Sequence, residues 1–388
     1  MISGDYRFLA QDRVTFGVPA ALAVADSVTR LGKHRVLIVT SKTLNRGTDV
    51  VDAIAKQLGN TCVGVYDECV TGIPRESILR LLKAARELDP DLIVTVGGGT
   101  AMDSVKVMLV MLAHNVTSID EFSNYHIRVD ENGNRIVPTV QDPPLRQIIV
   151  PTTLSAAEFS CLGGATDPSR QVRDIYTGRH IGGQEVVLDP AMTRHTPDWL
   201  WLSTGIRAVD HAVETVCSRK PQPFTDATCL HALDMLSSAL VRSAEDPQDL
   251  DARQACQLGA WLASTGLGRI EWGASHGVGH QLGAVAAIPH GHTSCVMLPS
   301  VLRWNQSVNA NQQTKVARAM GRSDGDAAQA VGDLIANVNQ PGTLRAVGVK
   351  REHFKATANG AMQNFMVRSN PRSIESPEQV LEILDLAW

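Results

Sequence analysis

Residues 92–106 read LIVTVGGGTAMDSVK. Five apolar or β-branched residues run straight into three glycines, and a helix-forming stretch follows at once. An apolar run without polar alternation suits a strand buried on both faces, the condition of a central strand in a parallel sheet. Three glycines let the backbone come close to an anion. The helix start behind them offers free N–H donors and the positive end of the helix dipole. Together they suit a phosphate or pyrophosphate; a tight turn that merely needs glycine is the alternative. Neither G-x-G-x-x-G nor G-K-[ST] is present.

The surroundings repeat this alternation. Residues 35–40 (RVLIVT), 62–66 (CVGVY) and 147–150 (QIIV) read as strands. Residues 49–58, 74–88 and 101–113 read as helices, with Ile78, Leu79, Leu82 and Ala85 on one face. Alternating strands and helices predict a parallel sheet with crossover helices. Residues 116–146 break the pattern, and Asn132-Gly133 predicts a hairpin turn between 127–129 and 136–140. From about Pro197 the periodic segments 225–242, 251–264 and 314–320 read as helical. The fold class expected is α/β plus all-α. An α/β domain spans 1–190 and an all-helical domain 191–388, with the boundary near Asp189-Pro190.

A length of 388 residues suits two or three domains. The net charge of -4 gives no bulk attraction to nucleic acid or an anionic membrane. No uncharged apolar stretch reaches the roughly 18 residues of a membrane span. Seven cysteines are scattered without a C-x-x-C pair, which fits a reducing compartment. The opening residues lack a basic region followed by an apolar run, so a cytoplasmic location is expected.

GGGTAMDSVK resembles the GGGSxxDxAK segment of the iron-containing alcohol dehydrogenase superfamily, which includes the maleylacetate reductases. The resemblance continues along the chain. Pro151-Thr152-Thr153 with Glu158 is similar to that family's PTT…SE loop. Leu188-Asp189-Pro190 is similar to its domain-joining element. Ser275-His276-Gly277-Val278-Gly279-His280 and Pro289-His290-Gly291 resemble its two histidine segments. The resemblance implies a dehydroquinate synthase-like architecture: a dinucleotide-binding α/β domain, a helical domain, and an active site in the cleft between them. It implies hydride transfer between NAD(P) and a small-molecule alcohol or carbonyl, or a C=C of an oxo acid. A homodimer is the implied assembly. The cofactor-binding residues it implies are Ser41, Gly97, Gly98, Gly99, Thr100, Asp103, Thr152 and Thr153.

Ser41 bears on the choice of dinucleotide. NAD-preferring members carry an Asp at the similar position, which repels a 2′-phosphate. Ser41 is neutral and Lys42 beside it is cationic, so NADPH is permitted. A plain polar strand end is the other reading, and both NAD and NADP stand.

Metal-binding members use an Asp, a His four residues later and two further histidines for Fe or Zn. The similar stretch reads Gly205-Ile206-Arg207-Ala208-Val209-Asp210-His211. His211, His276 and His290 match the three histidines, but Arg207 stands where the Asp is expected. A guanidinium has no lone pair to give a metal and keeps its charge. Maleylacetate reductases also depart from Asp here and share the short PTT loop. Arg207 therefore has three readings: clamp for a substrate carboxylate, polariser of a carbonyl, or intrahelical partner of Asp210. His280 is the residue implied to deliver the proton.

The leading expectation is an NAD(P)H-dependent reductase of a carboxylate-bearing carbonyl compound. The alternative is a metal-dependent alcohol dehydrogenase built on His211, His276 and His290. A lyase of the dehydroquinate synthase type and a silent binding protein are two further readings.

Overall fold

The computed structural model describes residues 4–129, 135–170, 172–220 and 222–388. Two compact units emerge, one of Arg7–Thr196 and one dominated by Pro197–Trp388. Tyr6 belongs with the second, where its hydroxyl donates to Thr265 O at 3.0 Å.

The first unit holds the strands β1 (Arg13–Phe16), β2 (Val36–Val39), β3 (Cys62–Tyr66) and β4 (Leu92–Gly97). The short strands β5 (Arg128–Val129) and β6 (Arg135–Ile136) follow, then β7 (Gln147–Pro151), β8 (Leu162–Asp167), β9 (Val172–Thr177) and β10 (Gly183–Leu188). Its helices are α1 (Ala20–Arg30), α2 (Lys42–Gly47), α3 (Val50–Leu58), α4 (Arg75–Leu88) and α5 (Gly99–Ala113). Six strands form one parallel sheet in the order β1-β10-β7-β4-β2-β3. Every residue of β2, β4 and β7 is buried, which is why these runs carry no polar alternation.

Successive side chains of a strand point to opposite faces. Val36 and Ile38 pack with Val24 of α1 and Ile54 of α3. Leu37 and Val39 pack with Leu82 of α4 and Met108 of α5. Each buried aliphatic side chain contributes about 1.5–3 kcal/mol, so the two helix layers hold the strand ends fixed. β5 pairs antiparallel with β6; the predicted turn at 130–134 lies outside the described residues. β8 and β9 form a second antiparallel pair. Asp189 stays with this unit: its Oδ2 accepts the Ala20 N–H at 2.7 Å, and Thr196 Oγ1 donates to Thr152 O at 2.7 Å. These bonds carry the unit past Asp189-Pro190 to Thr196.

The second unit is helical among its described residues. It comprises α6 (Asp198–Val216), α7 (Pro223–Glu245), α8 (Leu250–Ala263), α9 (Ala274–Ala286), α10 (His290–Ala319), α11 (Ala327–Asn337), α12 (Arg351–Ala361), α13 (Phe365–Arg368) and α14 (Pro377–Leu386). α10 starts directly against α6, because a Cβ on Gly291 would lie 2.6 Å from Ser203 Oγ. The helix loses helical geometry at Asn309, whose Nδ2 donates to Cys217 O at 3.3 Å. No described helix is long and apolar enough to cross a membrane.

Candidate active site

The glycine turn joins β4 to α5. Gly97 has φ 147°, where a side chain would strain the backbone. A Cβ on Gly98 would lie 2.9 Å from Thr153 Cγ2. No side chain caps α5, so the N–H groups of its first turn, around Gly99 and Thr100, are the donors a phosphate needs. Thr152 and Thr153 are buried beside the turn, and Thr152 N donates to Gly97 O at 3.0 Å. Thr153 Oγ1 donates to Ser155 Oγ at 3.2 Å.

Asp103 and Lys106 brace this turn. Asp103 Oδ2 accepts the Gly164 N–H at 3.1 Å and Arg173 Nη2 at 2.9 Å. Lys106, fully buried, donates from Nζ to Ala157 O at 2.7 Å and Leu162 O at 2.9 Å. The Asp103 carboxylate is thus committed to the protein itself and holds β8 against α5. Arg170 is committed likewise, to Asp167 at 2.7 Å and Asp174 at 2.5 Å. Ser41 caps α2, its Oγ accepting the Leu44 N–H at 3.3 Å. Lys42 pairs with Glu68 at 3.6 Å on the surface.

In the helical unit, Arg207, Asp210, His211 and Glu214 fall at i, i+3, i+4 and i+7 of α6. That spacing puts all four on one face. α9 supplies Ser275 and His276, and α10 supplies Ser294. Asp210 Oδ2 accepts Ser275 Oγ at 2.9 Å and Ser294 Oγ at 2.6 Å. Arg207 Nη1 donates to Ser294 Oγ at 3.0 Å. Glu214 accepts the N–H groups of Gly273, Ser275 and His276 at 3.0–3.4 Å, so a carboxylate sits on the first turn of α9. The same Glu214 takes His276 Nδ1 at 2.7 Å.

Charge in this buried cluster is finely balanced. Burial pushes the carboxyls of Asp210 and Glu214 upward, while Arg207 pulls them down. Burial also lowers the pKa of His211 and His276 well below the ordinary imidazole value, and Arg207 adds to the effect. His211 stacks on Trp272 with ring centroids 4.8 Å apart. Two of their nitrogens, His211 Nδ1 and His276 Nε2, are buried without a hydrogen-bond partner.

The His211 and His276 rings lie 5.2 Å apart, and His290 is an electrostatic neighbour of His276. Among the described residues, the only three metal-capable side chains with ligand atoms within 4.8 Å are Asp210, Glu214 and His276. His290 is exposed at the start of α10. Asp210 Oδ2 and both Glu214 oxygens are engaged by serine hydroxyls, backbone N–H groups and His276, while Asp210 Oδ1 is buried without a hydrogen-bond partner. Arg207, placed where a carboxylate ligand is expected, brings a guanidinium to within 3.9 Å of Asp210. The residues present do not fit the four-ligand metal centre that the resemblance implies.

His280 lies one turn beyond His276, with its ring 5.8 Å from that of His290. Asn364 Nδ2 stands 3.5 Å from His280 Nδ1. Asp210 as a member of the cluster, Glu214, Ser275 and Ser294 escaped the sequence reading. The signal was there for two of them, in the eight-residue stretch Arg207–Glu214, whose first, fourth, fifth and eighth residues share one helix face. The serines come from other helices and leave no mark in spacing.

Residues 11–190 match the iron-containing alcohol dehydrogenase family, and residues 201–388 match the Fe-containing alcohol dehydrogenase family, C-terminal. Dehydrogenase FUM7 of Gibberella moniliformis is 32% identical over 96% of this chain and 95% of its own length. Lactaldehyde reductase of Escherichia coli is 28% identical over 98% and 99%. The crystal structure of maleylacetate reductase from Rhizobium sp. strain MTP-10005 superposes with a TM-score of 0.84 at 26% identity, covering 100% and 99% of the two chains. With both halves matched, the glycine turn in place and full-length relatives alongside, the chain belongs to the iron-containing alcohol dehydrogenase family, oxidoreductases that use NAD(P) and a divalent metal.

Proposed function

We propose that this enzyme is an NAD(P)H-dependent reductase of a carbonyl compound that carries a carboxylate. The observation behind it is Arg207: a cation with 11% of its side chain exposed, whose only hydrogen-bond partner among the described residues is Ser294. Most of its planar donors stay available, in the fork geometry that suits a carboxylate or a polarised carbonyl. Bound NAD(P)H supplies the hydride to the carbonyl carbon, and the π electron pair moves onto oxygen. Arg207 steadies the negative charge on the substrate. His280, in its protonated imidazolium form, gives a ring proton to the new alkoxide and is left as neutral imidazole, and the product leaves as an alcohol. The glycine turn Gly97–Gly99 with Thr100, Thr152 and Thr153 holds the dinucleotide phosphates, and Ser41 lies at the adenosine end. Likeness to a maleylacetate reductase supports an oxo-acid substrate.

All seven cysteines are unpaired, as a reducing cytoplasm leaves them, and the working assembly in this reading is a homodimer. The test is loss of NAD(P)H absorbance with oxo acids against the matching uncharged aldehydes and ketones. A preference for the carboxylate-bearing compound is expected, and equal or better turnover of simple alcohols overturns the reading. The unpartnered His211 Nδ1 and His276 Nε2 favour one second reading, a metal-dependent alcohol dehydrogenase. Activity abolished by a chelator and restored by Zn²⁺ or Fe²⁺ would establish it.

A further inference from the structure

The helical unit holds two buried imidazoles at positions where the family resemblance implies metal ligands. His211 Nδ1 and His276 Nε2 are buried nitrogens with no hydrogen-bond partner. Such atoms are costly unless something once met them. Beside them, the carboxylate expected from the family is replaced by Arg207, and the guanidinium is not idle. It donates to Ser294 Oγ at 3.0 Å, and Ser294 Oγ donates to Asp210 Oδ2 at 2.6 Å. The positive charge is therefore seated on a buried anion through one hydroxyl.

We infer that Arg207 stands in for the metal ion: a fixed guanidinium, seated on Ser294 and Asp210, supplies the site's positive charge and keeps a divalent cation off His211 and His276. Three observations carry this. A guanidinium donates hydrogen bonds and no lone pair, so it cannot complete a coordination shell. Asp210 Oδ2 is taken by two serine hydroxyls and Glu214 by the first turn of α9 and His276 Nδ1, which leaves Asp210 Oδ1 as the one unpartnered carboxylate oxygen of the cluster. A divalent ion beside the guanidinium meets like charge in a buried setting, where screening is weak.

The inference rests on Arg207 being the electrophile of the proposed reaction, yet its test needs no substrate. The full-length protein is purified without chelator, dialysed against Zn²⁺ and separately against anaerobic Fe²⁺, and its bound metal measured. The wild type is expected to retain less than about a tenth of an ion per chain, and Arg207→Asp about one, with a metal-dependent rise in Tm. If Arg207→Asp does not fold, Arg207→Asn carries the same measurement, with three histidines and a neutral amide in place of the cation. Wild-type protein holding about one chelator-resistant ion overturns the inference. So does a folded variant that takes up no metal, because Arg207 is then not what excludes it. Failure on oxo acids with metal-free wild type would sink the substrate reading and leave this one standing.

Discussion

Arg207 Nη1 and Asp210 Oδ2 lie 3.9 Å apart, and Ser294 Oγ touches both, at 3.0 Å from the first and 2.6 Å from the second. The ion pair on α6 is therefore relayed through a hydroxyl from α10 rather than closed directly. A direct bidentate pair would spend the guanidinium on Asp210. The relay leaves its remaining donors for a ligand while still offsetting the buried charge.

Arg207→Gln is expected to lower kcat/KM on an oxo acid by about 10²- to 10³-fold, the usual loss when one charge-stabilising donor is removed. Arg207→Lys restores charge without the planar fork and should recover only part of this. Steady-state kinetics on paired charged and uncharged substrates checks it: the loss is confined to the carboxylate-bearing member if Arg207 clamps that group.

His280→Gln keeps polarity but cannot deliver a proton. The expected fall in kcat is about 10²-fold or more, together with loss of the pH dependence that proton delivery imposes on kcat. Asn364→Leu removes the contact to His280 Nδ1 and should give a smaller fall. A variant His280→Gln with an unchanged pH profile would remove His280 from the mechanism.

Gly98→Ala places a Cβ 2.9 Å from Thr153 Cγ2. A clash of this kind costs about 1–3 kcal/mol and pushes Thr153 off the turn. NAD(P)H titration should show weaker binding. Thr153→Ser deletes Cγ2, so the double variant Gly98→Ala/Thr153→Ser should regain most of the affinity. No rescue means the turn is damaged by something other than this contact.

Ser41→Asp tests cofactor choice without breaking the fold, because Asp caps a helix as well as Ser does. The new carboxylate should repel a 2′-phosphate. The NADH-to-NADPH ratio of kcat/KM should rise, by about tenfold for each 1.4 kcal/mol of repulsion. An unchanged ratio places the 2′-phosphate away from Ser41.

The glycine turn and its flanking strands were legible because their signals are local: unbroken apolar runs, glycines and helical periodicity sit next to one another in sequence. The stripe on α6 was half legible. Asp210 read as an intrahelical partner of Arg207, and that contact exists, but its shorter bonds go to Ser275 and Ser294. Those serines lie 65 and 84 residues further along, and nothing in the spacing of α6 points to them. Arg170 pairs with Asp167 and Asp174, and Arg173 with Asp103, while both side chains keep a third or more of their surface exposed.

Glu158 gives a stability prediction. Burial pushes its carboxyl up to about 7. The folded state then binds more protons than the unfolded state between the ordinary carboxyl value and about 7. Stability should accordingly fall as pH rises through that window, by on the order of 3 kcal/mol. Glu158→Gln removes the titration, so denaturant unfolding at pH 5 and 8 should differ less in the variant than in the wild type. An equal difference would clear Glu158 of the effect.

Lys106 and Asp103 sit at the start of α5, yet their partners Ala157, Leu162, Gly164 and Arg173 lie 51 to 70 residues further on. Closing such long loops is slow compared with forming a helix. The phosphate cradle is therefore a late product of folding, although its glycines look self-sufficient in sequence. A chain leaving the ribosome has no finished seat for a dinucleotide until Arg173 has been made, 70 residues after Asp103. A dinucleotide that binds the finished seat and not the unfolded chain stabilises this unit by mass action.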